Sequence, residues 1–208
     1  MTQPMPKAIG DTEDLTATEE ILQVYAGLID DDHGLKTPQR FLSMLSELTQ
    51  CRPIGNEIVQ AAHMQDCIKW ASFPNEPHVD EMIVVQKIPF VSVCNHHVVP
   101  FMGYADVAYV PDQTIAGLSK FARVVKHFAR QLQVQERLTA NVADFLEDKL
   151  KPKGLAVMMR AEHLCMTIRG TQTPGTLTTT SAMRGVFSDH SKTAKTEFLT
   201  VVGFNGQG

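Results

Sequence analysis

Between Glu81 and Phe187 the hydrophobic period of the chain changes twice, from 2 to 3.6 and back to 2. That order constrains the fold more than any other feature. Met82-Ile83-Val84-Val85 and Ile88 to Val93 are β-rich, and after Pro100-Phe101-Met102-Gly103 a second run, Tyr104 to Val110, stops at Pro111-Asp112. The pair predicts an antiparallel hairpin whose connection contains Asn95-His96-His97. Leu118, Phe121, Ala122, Val125, Phe128, Ala129 and Leu132 then fall on one helical face. A second helix, Val134 to Leu150, does the same with Val134, Leu138, Val142, Phe145 and Leu146, and stops near Pro152-Lys153-Gly154. Strands resume at Leu155 to Ile168 and Thr176 to Phe187, joined by a turn region with Gly170, Pro174 and Gly175. A short last helix is expected over about 194–201.

The fold class is therefore α+β, with helices first and then a ββααββ unit whose sheet is antiparallel. The hairpin, helix, helix, hairpin order is pseudo-symmetric without an internal sequence repeat. Residues 1–14 read as a flexible tail, 15–79 as a helical region and 80–208 as the domain that carries the ββααββ unit. Within 15–79, Thr16-Ala17-Thr18-Glu19 fits a capping box before Ile21, Val24, Tyr25 and Leu28. Thr37-Pro38 opens a second helix with Phe41, Leu45 and Leu48 on one face, ended by Pro53 and Gly55. The segment 56–77 has no clear pattern.

Composition excludes several classes. At 43% hydrophobic and 20% charged residues the chain can bury a core and is not intrinsically disordered. No apolar run approaches the roughly 20 residues a membrane-spanning helix needs. The polar N-terminus lacks a secretory pattern, so a cytoplasmic protein is expected. A net charge of −4 argues against a surface that coats nucleic acid, while leaving room for a local basic pocket for a small anion. Four cysteines are too few for a disulfide scaffold. Cys51, Cys67 and His63 read as core residues, since buried thiols behave as small hydrophobes.

Cys94 and His97 have a Cys-x-x-His spacing at a strand end, and His163 and Cys165 sit at i and i+2, which in a strand share a face. Arg169 joins that face if the strand stays regular. Cys94, His97 and Cys165 can hold zinc tetrahedrally with a fourth position left to water, freeing His96 and His163 for proton transfer. A closed four-ligand site of Cys94, His97, His163 and Cys165 fits the spacing equally.

Lys120, Arg123, His127 and Arg130 recur at helical spacing as a basic stripe. Most such stripes are solvated faces. Gly117 and Ser119 at the helix start, with its free N–H groups, also suit a phosphate. Glu136 in the first turn of the next helix is either a dipole-stabilising carboxylate or, with Gln135, a partner for an N–H-rich base edge.

Cys94-Asn95-His96-His97, Gly117-Leu118-Ser119-Lys120 with Arg123, Gln133-Val134-Gln135-Glu136-Arg137-Leu138-Thr139, and His163-Leu164-Cys165 with Arg169-Gly170 together resemble GTP cyclohydrolase type I. Thr37-Pro38-Gln39-Arg40, Thr178-Thr179-Thr180-Ser181 and Glu197-Phe198-Leu199 extend the likeness over about 37–201. The resemblance implies a tunnelling fold whose barrel forms by oligomerisation, as a homodecamer of two stacked pentamers with active sites between subunits. It implies that zinc-activated water attacks C8 of GTP, formate leaves, and rearrangement and ring closure give 7,8-dihydroneopterin triphosphate. Folate, a pterin cofactor or a deazapurine nucleoside are the onward routes it allows.

By the same resemblance Cys94, His97 and Cys165 are zinc ligands, His96 and His163 proton carriers, and Ser119 a helper in the later ring steps. Gln135 and Glu136 face guanine, and Lys120, Arg123, Arg169 and Arg40 meet the triphosphate. The chain departs from the family pattern at Asn95, usually Glu, at Gln131, usually basic, and at Lys87, usually a short polar residue. Of these Asn95 adjoins the site. It keeps open a diverged relative acting on another purine nucleotide. A non-catalytic pterin or purine binder with structural zinc is the other rival, and it predicts the closed four-ligand metal.

Overall fold

The computed structural model describes residues 37–49, 68–76, 78–188 and 192–204. The expected tail, the helix over 16–28, and Cys51, His63 and Cys67 lie outside them. The chain divides into two units between residues 47 and 48. Helix α1, Thr37–Leu48, falls in the first except for its last residue, as the Thr37-Pro38 start and the Phe41, Leu45, Leu48 face predict.

The second unit runs β1 (Ser72–Pro74), β2 (Ile83–Cys94), β3 (Pro100–Val110), β4 (Thr114–Ala116), α2 (Ser119–Ala129), β5 (Leu132–Gln133), α3 (Gln135–Leu150), β6 (Gly154–His163), α4 (Leu164–Thr167), β7 (Leu177–Gly185) and α5 (Lys192–Val201). The expected hairpin, helix, helix, hairpin order is present. One sheet has the order β5-β2-β3-β6-β7, and β2, β3, β6 and β7 pair antiparallel. The sheet is nevertheless mixed, because β5 pairs parallel with β2 through Val93↔Leu132 and Cys94↔Gln133. A two-residue strand is too short to leave a period in the sequence. The small β1–β4 pair, with Ser72 opposite Ala116, escapes detection for the same reason.

Helices α2 and α3 cover one face of the sheet. Phe121, Val124, Val125, Leu138, Val142 and Leu146 are fully buried there with Phe101, Val107, Leu155, Val157 and Met159. At roughly 1.5–3 kcal/mol for each large apolar side chain removed from water, this layer supplies most of the drive to fold. On the other face Phe187, Phe198 and Val202 form a smaller core over Ala108, Ala156 and Met158. The buried carboxylate of Asp106 lies on that side. It accepts the Lys87 backbone N–H at 2.8 Å and an Arg160 guanidinium N–H at 2.8 Å, and Arg160 also donates to the Val202 carbonyl. Lys87 sits in a β2 irregularity with φ 53°, a left-handed conformation that short polar residues tolerate better than Lys.

Two expectations are corrected. The strand predicted through Ile168 ends at His163, and Leu164–Thr167 is one helical turn. Its neighbours run out: β3 pairs no further than Phe101↔His163, and β7 no further than Leu177↔Glu162. Without a ladder partner the backbone closes its bonds locally, Ile168 N–H donating to the Leu164 carbonyl at 3.0 Å. The i, i+2 argument that put Cys165 and Arg169 on the strand face of His163 therefore fails, although Cys165 reaches the same region by the turn. His127 is also no part of the basic stripe, since it is only 6% exposed and meets the Phe128 ring edge-on at 5.1 Å.

Candidate active site

The β2–β3 turn is built by Cys94. Its N–H donates to the Val99 carbonyl and its carbonyl accepts from Val98 N–H, both at 2.9 Å, closing a tight loop in which Val98 takes φ 53°. This folds His97 back so that its Nδ1 lies 3.8 Å from Cys94 Sγ. Cys165, carried in by α4, completes the group. One ligand atom from each of Cys94, His97 and Cys165 lies within 4.8 Å of the others, so the three can hold a metal ion. His163 is not in that group. Burial and the Cys94 thiol beside it push the Cys165 thiol up, and the Arg169 guanidinium partly opposes this. Two thiols forced together in this way favour a cation that takes both as thiolates.

His163, the last residue of β6, stacks flat on Phe101, with ring centroids 4.6 Å apart and planes 1° apart, because the two are register partners. Its Nε2 is 2.7 Å from Gln135 Oε1 at the start of α3. Burial pushes the imidazole below the ordinary histidine value, while the nearby Glu136 carboxylate acts the other way. His96 is exposed and meets the His97 ring edge-on at 6.2 Å. Asn95 is exposed as well, its N–H donating to the Gln133 carbonyl.

Cys94, His96, His97, His163, Cys165, Gln135, Glu136 and Arg169 thus gather at one end of the sheet. Ser119 and Lys120 do not join them. They begin α2 just after Ala116, whose N–H donates to the Tyr109 hydroxyl, and Tyr109 pairs with Ile83 at the opposite end of β2 from Cys94. The 11 residues of α2, about 16 Å long, stand between them and the Cys94 end. No side chain caps the start of α2, so its first-turn N–H groups suit an anion, with Ser119 exposed and Lys120 half-buried there. Arg123, one turn on, is exposed, and Arg40 is exposed on α1 in the other unit.

The sequence reading missed Phe101 and the threonines behind Gln135. Gln135 is 1% exposed, and its amide Nε2 donates toward the Met159 and Thr178 carbonyls and Thr180 Oγ1, at 3.1, 2.9 and 3.1 Å. Thr139 Oγ1 lies 2.9 Å from the Gln135 carbonyl and 2.6 Å from Thr180 Oγ1. The i, i+4 spacing of Gln135 and Thr139 was readable. Their meeting with β7 was not.

An α+β domain that brings two thiols and an imidazole close enough to hold a metal ion, beside a further, half-buried imidazole, has the donor set of an enzyme site. A family model described as GTP cyclohydrolase I matches residues 15–203. The "GTP cyclohydrolase 1" of Aquifex aeolicus is 45% identical over 173 residues, covering 83% of this chain and 86% of the relative. That of a Sulfurihydrogenibium species is 40% identical over 193 residues, covering 91% and 95%. A Nostoc relative, "GTP cyclohydrolase 1 2", is 40% identical over 204 residues, covering 98% and 89%. The chain belongs to the GTP cyclohydrolase I family.

Proposed function

We propose that this chain hydrolyses GTP at C8 of the purine, releases formate and forms 7,8-dihydroneopterin triphosphate, with zinc held by Cys94, His97 and Cys165. The observation that carries the reading is a three-donor group with His163 beside it but outside it, its Nε2 committed to Gln135. That arrangement favours an open metal over the closed four-ligand alternative.

The donor set fits zinc. Ligand distances of about 2.3 Å to sulfur and 2.0 Å to nitrogen put tetrahedral S and N donors about 3.5 Å apart, close to the 3.8 Å between Cys94 Sγ and His97 Nδ1. Thiolate and imidazole together select this ion over magnesium or calcium. When bound, zinc supplies a Lewis acid able to bring the pKa of water to about 7.

The chain's own residues do the rest. His163, whose imidazole is pushed by burial below the ordinary histidine value, can accept a proton and return it to a purine nitrogen as a C8–N bond breaks. Exposed His96 is the second proton carrier. Glu136 accepts hydrogen bonds from the guanine N–H edge, and Ser119 assists the later ring steps. Arg169 meets phosphate beside Cys165, while Lys120 and Arg123 do so at the uncapped start of α2, with Arg40 as a further phosphate contact.

Ser119 and Lys120 stand at the far end of their own sheet from Cys94, which supports sites completed by a neighbouring copy. We accordingly assign a tunnelling-fold homodecamer of two stacked pentamers, with residues 80–208 as the catalytic domain. Among the described residues no helix is long and apolar enough to cross a membrane, and a cytoplasmic location is part of the same proposal.

The test is purified protein with GTP, followed for formate and for fluorescence of the oxidised pterin, before and after zinc removal by chelation and after its restoration. Zinc-dependent appearance of both products is expected. Turnover of another purine nucleotide but not GTP would instead point to the diverged relative that Asn95 leaves open.

A further inference from the structure

The threonines of two sequence motifs, Thr139 and Thr180, meet under the side chain of Gln135, and no role in substrate binding or proton transfer accounts for them. The hydrogen atoms of this cluster have one consistent arrangement. Two of the three groups facing the Gln135 amide nitrogen are the Met159 and Thr178 carbonyls, which only accept. The NH2 group must face them, because a carbonyl turned that way would meet two others in a buried site. Gln135 Oε1 is therefore the atom 2.7 Å from His163 Nε2, and a neutral His163 must carry its proton on Nε2 to satisfy it. Thr180 Oγ1 also faces the amide nitrogen at 3.1 Å, and because the amide has only two hydrogens it shares one of them with a carbonyl. Thr139 spends its single hydroxyl proton on the Gln135 carbonyl, so the 2.6 Å contact has Thr180 donating to Thr139. With Phe101 flat against the ring, His163 is fixed in plane and in tautomer.

We propose that Gln135, Thr180 and Thr139 are positioning residues that hold His163 as the Nε2–H tautomer with Nδ1 left to exchange protons, and that Gln135 does not read guanine. This rests on the reading of His163 as a proton carrier. Gln135 is 1% exposed with both ends of its amide engaged, so a guanine edge would have to displace existing bonds to reach it. Glu136, exposed at the next position, carries no such commitment to β6 and β7 among the described bonds.

The test is the rate of formate release and KM for GTP in the zinc-loaded full chain, for Gln135→Leu, Thr180→Val, Thr180→Ser and His163→Ala. A misplaced proton carrier forfeits part of the roughly 100- to 10,000-fold that acid–base catalysis supplies. Gln135→Leu should lower kcat by about 10- to 100-fold with KM changed by less than about twofold. Thr180→Val should lower kcat in the same sense, Thr180→Ser should restore it, and all should keep wild-type zinc content. In a His163→Ala background, Gln135→Leu should cost nothing further. A rise in KM with kcat kept in Gln135→Leu would return that residue to guanine recognition and overturn the inference. Full kcat in Thr180→Val would overturn it as well. If His163→Ala itself kept full kcat, the proton-carrier reading would fail. A dead His163→Ala beside fully active Gln135→Leu and Thr180→Val would sink only the positioning role. Should Gln135→Leu not fold, the Val and Ser pair at Thr180 decides the question.

Discussion

Replacing Asp106 by Asn should destabilise the protein without touching the metal site. Asp106 is 1% exposed and holds two charge-assisted bonds, to the Lys87 N–H and to Arg160, each 2.8 Å. The Asp106→Asn side chain keeps the shape and can still accept from Lys87, but it offers Arg160 an amide in place of a carboxylate. Breaking a buried pair from one side costs about 3–5 kcal/mol when the remaining charge stays buried. The Arg160 side chain is 27% exposed and can partly rehydrate, which lowers the expected loss to about 2–3 kcal/mol. For a chain of this size that lowers Tm by about 4–12 °C. Arg160→Met should cost a similar amount, and also frees the Val202 carbonyl at the end of α5. The double variant Asp106→Asn/Arg160→Met should lose less than the sum of the two, because neither leaves the other a stranded charge. Thermal and urea denaturation of all four forms, with zinc per chain measured alongside, gives the answer. Strict additivity, or losses below about 0.5 kcal/mol in the single variants, would refute the claim that this pair ties β2, β6 and α5 together.

Three further outcomes are expected. Wild-type protein should bind about one zinc per chain and Cys165→Ser should lose zinc and turnover together; full metal content in that variant would remove Cys165 from the ligand set. Lys120→Ala and Arg169→Ala should each weaken use of GTP by about 1.5–3 kcal/mol while barely altering affinity for guanosine; equal losses for nucleoside and nucleotide, measured in parallel, would make these side chains structural. Asn95→Glu should leave zinc content unchanged and alter turnover against pH, since a new carboxylate beside the proton carriers favours the charged form of a nearby imidazole; superimposable profiles would show that the Asn is neutral there.

What the sequence determined by itself was the local structure and the chemistry on offer. Alternation in 83–94 and 104–110, the 3.6 period of the two central helices, and the Cys-x-x-His turn are properties of neighbouring residues. Short-range sterics and burial read them directly. Cys94, His97 and Cys165 were therefore legible as donors, and the motif order pointed to the family. Non-local pairing decided the rest. The strand carrying His163 stops where β3 and β7 run out, so Cys165 arrives on a helical turn. His127 has the spacing of a basic stripe yet packs inward. Sequence left open whether His163 is a fourth ligand; in the structure its Nε2 lies 2.7 Å from Gln135 Oε1, and the ligand atoms that gather are those of Cys94, His97 and Cys165. Ser119 and Lys120 lie a helix length from the thiols they accompany in the motif pattern. Each outcome depends on which element ends beside which, and a hydrogen bond between residues 28 or 45 positions apart, as at Gln135, leaves no period in the chain to read.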